Sequence, residues 1–97
     1  MSYPLNLIEE LAGNSYTIPV GTNVVVLLGE EPALSGKWYY HPSFLELIDE
    51  EKKYYGPNDE DRKFTLHAHV AGQADLTFDY KTGETFVRSV VFHITAQ

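Results

Sequence analysis

The chain of 97 residues is long enough for one domain and too short for two; its formal charge of -7 and pI near 4.9 oppose nucleic-acid binding, where basic side chains must neutralise phosphates. Without a cysteine it can form no disulfide, thiolate nucleophile or thiolate metal site, so its core must hold by packing alone. Hydrophobic residues make up 43% and aromatic residues 13%, enough apolar surface for a packed core. Residues 1–97 are accordingly expected to form a single domain. The N-terminal stretch MSYPLNLIEELAG lacks the basic start and continuous apolar run of a secretory signal, and no segment approaches membrane-spanning length. The expectation is a cytoplasmic protein that engages neither membrane nor nucleic acid.

Leu5, Leu7, Ile8 and Leu11 open the chain with mixed spacing, compatible with a short helical turn or an irregular first strand. After a turn at Gly13-Asn14, Tyr16, Ile18 and Val20 alternate with Ser15, Thr17 and Pro19, the period of a half-buried strand. Pro19 has no N–H to give a ladder, so this strand is expected at an edge. The run Asn23 to Leu28 (NVVVLL) is apolar on both faces, as a central strand requires.

A Pro- and Gly-punctuated loop from Gly29 to Gly36 leads into a short aromatic strand, Lys37 to His41, which Pro42 ends. Alternation puts Trp38 and Tyr40 on one face and Tyr39 on the other. Ser43 to Tyr55 reads two ways. Ser43 and Glu46 fit a capping box ahead of helical spacing, yet Phe44, Glu46 and Ile48 also lie two apart and Tyr54-Tyr55 favours an extended end. Gly56 to Asp61 is a turn-rich acidic loop.

Beyond it, Phe64, Leu66, Ala68 and Val70 share one face with Thr65, His67 and His69 on the other; after Gly72, Ala74, Leu76, Phe78 and Tyr80 alternate with Asp75, Thr77 and Asp79. These two runs are expected to pair as a hairpin with one wet face. Lys81 to Glu84 turns the chain into a last strand with Val90, Phe92 and Ile94 on one face. About six to eight strands at regular turn spacing predict an all-β fold, an antiparallel immunoglobulin-like β-sandwich.

Little in the chain suggests catalysis. His67 and His69 lie two apart on one strand face, a spacing that suits a shared metal, with His93, Asp75 or Asp79 as possible further ligands from a neighbouring strand. Two ligands fall short of a site, and the expectation is solvated imidazoles with no metal and no cofactor. Asp59, Glu60 and Asp61 lack the spaced oxygen ligands of a calcium loop. Serine, histidine and aspartate are all present, but without a G-x-S-x-G turn, so no enzyme is expected.

The segment Glu31-Pro32-Ala33-Leu34-Ser35-Gly36-Lys37-Trp38 resembles the N-P-T-T-G-x-x-W first loop of the chagasin-like inhibitors of papain-type cysteine proteases. Proline and tryptophan stand at matching places; Glu31 replaces asparagine, Ala33 and Leu34 replace the threonines, and the glycine is displaced by one to Gly36. The order of segments from about Tyr16 onward is also similar to that family. The second loop of the family is G-x-G-G where this chain has Gly56-Pro57-Asn58-Asp59, and the third has R-P-W where Lys81-Thr82-Gly83 follows Tyr80.

The resemblance implies an immunoglobulin-like sandwich whose three end loops wedge reversibly into a protease cleft, with Trp38 packed beneath the first loop. Its implied partner-binding residues are Glu31, Pro32, Ala33, Leu34, Ser35, Gly36 and Lys37, then Gly56, Asn58 and Asp59, then Lys81, Thr82 and Gly83. The alternative is a non-inhibitory interaction or assembly domain on the same scaffold, since the second and third motifs are absent; either way the partner is a protein.

Overall fold

Period-two alternation builds eight strands among the described residues. The computed structural model describes residues 4–30, 36–56 and 59–97; for residues 30, 52–56 and 59–60 only the backbone is described. The strands are β1 (Leu5–Ile8), β2 (Ser15–Ile18), β3 (Asn23–Glu30), β4 (Gly36–Tyr40), β5 (Glu46–Gly56), β6 (Asp59–His67), β7 (Gly72–Thr82) and β8 (Thr85–Ala96). They form two four-stranded sheets, β1-β3-β6-β5 and β2-β8-β7-β4. Between the sheets lies one cluster of buried side chains, among them Val24, Val26 and Leu28 of β3, Phe64 and Leu66 of β6, Leu76, Phe78 and Tyr80 of β7, and Val90, Phe92 and Ile94 of β8. Each set is spaced by two, so each strand turns one face inward.

The sandwich agrees with the sequence, and so do several particulars. β3 is interior to its sheet and β2 is an edge strand that stops before Pro19. The N-terminal segment is both of the things its spacing allowed, strand β1 followed by a turn of 3-10 helix, Glu9–Leu11. Ser43 to Tyr55 contains strand β5 and no helix cap: the Ser43 hydroxyl accepts from the Leu45 N–H at 3.2 Å and meets the Tyr40 hydroxyl at 2.8 Å, which turns the chain into β5.

Other expectations are corrected. The sheets are mixed, because β1 runs parallel to β3 and β2 parallel to β8, while the remaining pairs are antiparallel. β1 and β2 are joined to each other across the sandwich by the 3-10 turn, so neither meets its sheet through a hairpin that would reverse its direction. The runs at Phe64 and Ala74 do not pair; β6 and β7 lie in opposite sheets, and the hairpins are β5–β6 and β7–β8. Ala68 exchanges bonds with the turn before β3, its N–H donating to Thr22 O at 3.1 Å and its carbonyl accepting from Gly21 N at 2.6 Å, and the chain then crosses to the other sheet. Val70 falls on that crossing and is 48% exposed, not core. The acidic Gly56 to Asp61 segment is mostly strand: β5 runs to Gly56 and β6 begins at Asp59.

Candidate functional site

Strand register brings together the strand ends that flank the predicted loops. Glu30, the last residue of β3, pairs with Glu60 of β6, and Gly56 pairs with Asp59 where β5 turns into β6. Gly36, the first residue of β4, pairs with Thr82 of β7, and Thr82 also pairs with Thr85 across the β7–β8 turn. The connection from β3 to β4 therefore leaves beside the β5–β6 tip and returns beside the β7–β8 tip. The described strand ends that flank all three connections lie at one end of the sandwich. Of the predicted contact residues, Glu31, Pro32, Ala33, Leu34, Ser35 and Asn58 lie outside the described residues, and Gly56 and Asp59 are described as backbone.

Trp38 braces the base of this end. It is 3% exposed, its indole N–H donates to Gly29 O at 2.8 Å, and its ring lies 4.9 Å from that of Tyr80. One hydrogen bond thus ties the end of β3 to the start of β4 across the sandwich. The Arg88 guanidinium lies over both rings, 5.1 Å from Trp38 and 4.7 Å from Tyr80, and grips Glu9 with two bonds of 2.9 and 3.2 Å. Sequence reasoning missed Arg88 and Glu9 as part of the site. A signal existed: Arg88 is in phase with Val90, Phe92 and Ile94, the inward face of β8.

The turns are shaped by glycine where shape matters. Gly83 opens the two-residue β7–β8 turn with φ +63°, the left-handed region favoured in tight hairpins. The ladder shifts between Tyr80 and Lys81, which leaves Val87 as an extra residue; Phe86 and Val87 beside it are 56% and 46% exposed. Lys37 and Lys81 stand opposite each other on the outer face of β4 and β7, and the Lys81 amine lies 5.5 Å from the Tyr39 ring centroid.

The structure does assemble a serine, an aspartate and a histidine, in an order that performs no hydrolysis. The Ser89 hydroxyl donates to Asp79 Oδ1 at 2.9 Å, and His41 Nε2 lies 2.6 Å from Asp79 Oδ2. The carboxylate sits in the middle, so no imidazole is hydrogen-bonded to the serine to take its proton. The bond from His41 holds the Asp79 carboxyl below its ordinary value, opposed by burial and aided by Ser89 and by the charges of His41 and Lys81. A depressed carboxylate stabilises the fold above its unfolded-state pKa, and this is lost as pH falls through the lower folded value. Urea titrations across that acid range should show Asp79→Asn less stable than wild type near neutrality, with the gap closing as the wild-type carboxyl protonates.

His67 ends β6 and His69 lies just beyond it, not on the strand as expected; their rings are stacked with centroids 6.4 Å apart. His67 Nδ1 is 2.7 Å from Asn23 Oδ1, and His69 Nδ1 is 3.7 Å from Glu46 Oε2. His93 and Asp75, 2.6 Å apart, occupy the outer face of the other sheet, as does Asp79, so none can complete a site with the pair. Among the described residues no group of three or more such side chains could hold a metal.

No protein-family model matches the sequence, and no curated protein sequence matches it either. Solved structures do match. The cysteine protease inhibitor EhICP2 from Entamoeba histolytica superposes with a TM-score of 0.84 at 16% identity, covering 96% of this chain and 95% of that one. Amebosin in solution gives 0.75 at 14% identity, over 99% of this chain and 100% of that one. PbICP-C, solved in complex with falcipain-2, gives 0.62 at 12% identity, over 100% and 94%. At these identities the likeness is one of architecture: the chain has the chagasin-like β-sandwich fold.

Proposed function

We propose that this protein is a reversible inhibitor of papain-like cysteine proteases, and not an enzyme, acting by filling the target's active-site cleft with the loop end of its sandwich. The observation that carries the reading is the meeting, at one end, of the strand ends that flank three connections, over a base held by Trp38, Tyr80 and Arg88. A wedge needs preorganised loops and no nucleophile. The reading is supported by EhICP2, a cysteine protease inhibitor of the same fold, and by PbICP-C, whose partner is falcipain-2. Contacts are assigned to Glu31 through Lys37, to Gly56, Asn58 and Asp59, and to Lys81, Thr82 and Gly83.

Titration against papain and several related proteases should give inhibition that is regained on dilution. Leu34→Ala and Ser35→Ala should weaken it while changing stability by less than about 0.5 kcal/mol, as surface substitutions do. No inhibition of any of them at micromolar protein removes the claim. A second reading, an assembly domain for a basic partner, is favoured by the run Asp59-Glu60-Asp61 where the family has glycines. Affinity capture decides between them: a recovered protease supports the first reading, a basic non-protease protein the second.

A further inference from the structure

The flank of the sandwich carries a groove that the loop end does not use. Where the free edges of β4 and β5 face each other, a cleft of about 470 Å³ is lined by Trp38, Tyr40, Leu47 and Phe64, with the carboxylates of Glu46 and Glu50 at its rim. Neither edge is paired with another strand among the described residues. β5 is blunted against strand addition, since its ladder is interrupted at Ile48 and Glu46, Asp49, Glu50 and Glu51 crowd it with charge. β4 pairs in unbroken register from Gly36 to Tyr40 and carries a single charge, Lys37, which stands on its outer face.

The ladder fixes what β4 offers. His41 N–H donates to Thr77 O at 3.0 Å, so the alternation of an antiparallel pair turns the N–H and C=O of Trp38 and Tyr40 outward, to the open edge. Of their side chains, Tyr40 is partly exposed along the groove, while Trp38, like Phe64, is nearly fully buried and lies at its floor. A chain laid along this edge would satisfy those backbone groups and send every second side chain between the aromatic rings and the two carboxylates. The partly exposed Tyr40 and Leu47 beside a carboxylate rim suit an apolar stem with a cationic head, the form of arginine and lysine. Glu46 and Glu50 are open to such a head: their side chains are 63% and 39% exposed and their contacts to His69 and Arg62 are long, 3.7 and 3.4 Å.

We infer that the β4 edge and the groove beside it bind an extended peptide segment of a partner protein, added as a fifth strand to the second sheet, with an arginine or lysine between apolar residues on its inward face. The site adjoins the loop end, with Trp38 and Lys37 at the junction, and does not depend on the inhibitor reading.

The test is titration of the ¹⁵N-labelled protein with the synthetic peptide acetyl-SVTRTVS-amide, followed by backbone amide shifts. The expected result is saturable change at Lys37 to His41 and Glu46 to Glu50, with slowed exchange of the Trp38 and Tyr40 amides. Replacing the peptide's arginine by glutamate, or using the Glu46→Gln, Glu50→Gln double variant, should weaken binding about tenfold or more, the loss of one charge-assisted contact. Three outcomes overturn the inference: no saturable shift at millimolar peptide, shifts centred away from β4, or equal binding by an analogue methylated on alternate backbone nitrogens, which cannot pair as a strand.

Discussion

Trp38→Ala should destabilise the domain by about 3 to 5 kcal/mol, the cost of truncating a large buried aromatic side chain. The ring is 3% exposed and touches both Tyr80 and the Arg88 guanidinium, so its loss opens a cavity and strips two contacts at once. It also removes the bond to Gly29 O that ties β3 to β4. Trp38→Phe keeps most of the apolar volume but loses the N–H and part of the ring, so its cost should fall below that of Trp38→Ala; about 1 kcal/mol of it is expected from the bond. Urea denaturation of both variants checks the argument. A Trp38→Ala protein of wild-type stability would make the tryptophan a surface residue and a contact in its own right.

Gly36→Ala ranks second in expected effect. A Cβ at this position would overlap the Tyr80 hydroxyl and ring, and Tyr80 is fully buried with Trp38 on one side and Arg88 over its face. The ring has nowhere to swing without disturbing the base of the loop end. Overpacking of this kind costs about 1 to 3 kcal/mol, and here it should weaken protease inhibition as well, because the displaced strand start carries the first loop. Denaturation and inhibition measured on the same sample test both statements. Unchanged stability would mean that β4 can retreat from Tyr80.

Much of this was legible in the residues. NVVVLL gave an interior strand because both its faces are apolar, and β6, β7 and β8 show their inner faces by spacing alone. Of the candidate site, the buried tryptophan at its base was legible, while Glu31 to Ser35 of the loop before it lie outside the described residues. What alternation cannot reveal is the neighbour: period two states which face is buried and is silent on which strand lies alongside or in which direction. The supposed pairing of the runs at Phe64 and Ala74, and the two parallel pairs at the edges, were hidden for that reason. Arg88 was hidden for another. Its partner Glu9 is 79 positions away, and an inward arginine explains itself only when that carboxylate and the two rings are seen around it.

The parallel pairing of β2 with β8 also dictates an order of assembly. The β5–β6 and β7–β8 hairpins join near neighbours in the chain, whereas Ser15 meets His93 and Ile18 meets Ala96. Closing so long a loop is slow, because the entropy of bringing its ends together is lost before any contact rewards it. The bonds that fasten β2 come from the far end of β8 and beyond: His93 N–H to Asn14 O and Gln97 N–H to Ile18 O. On a ribosome, residues 15–18 emerge early and wait for nearly eighty more. Until β8 is made β2 has no strand to pair with, and its own backbone is what the half-made chain offers to other strands.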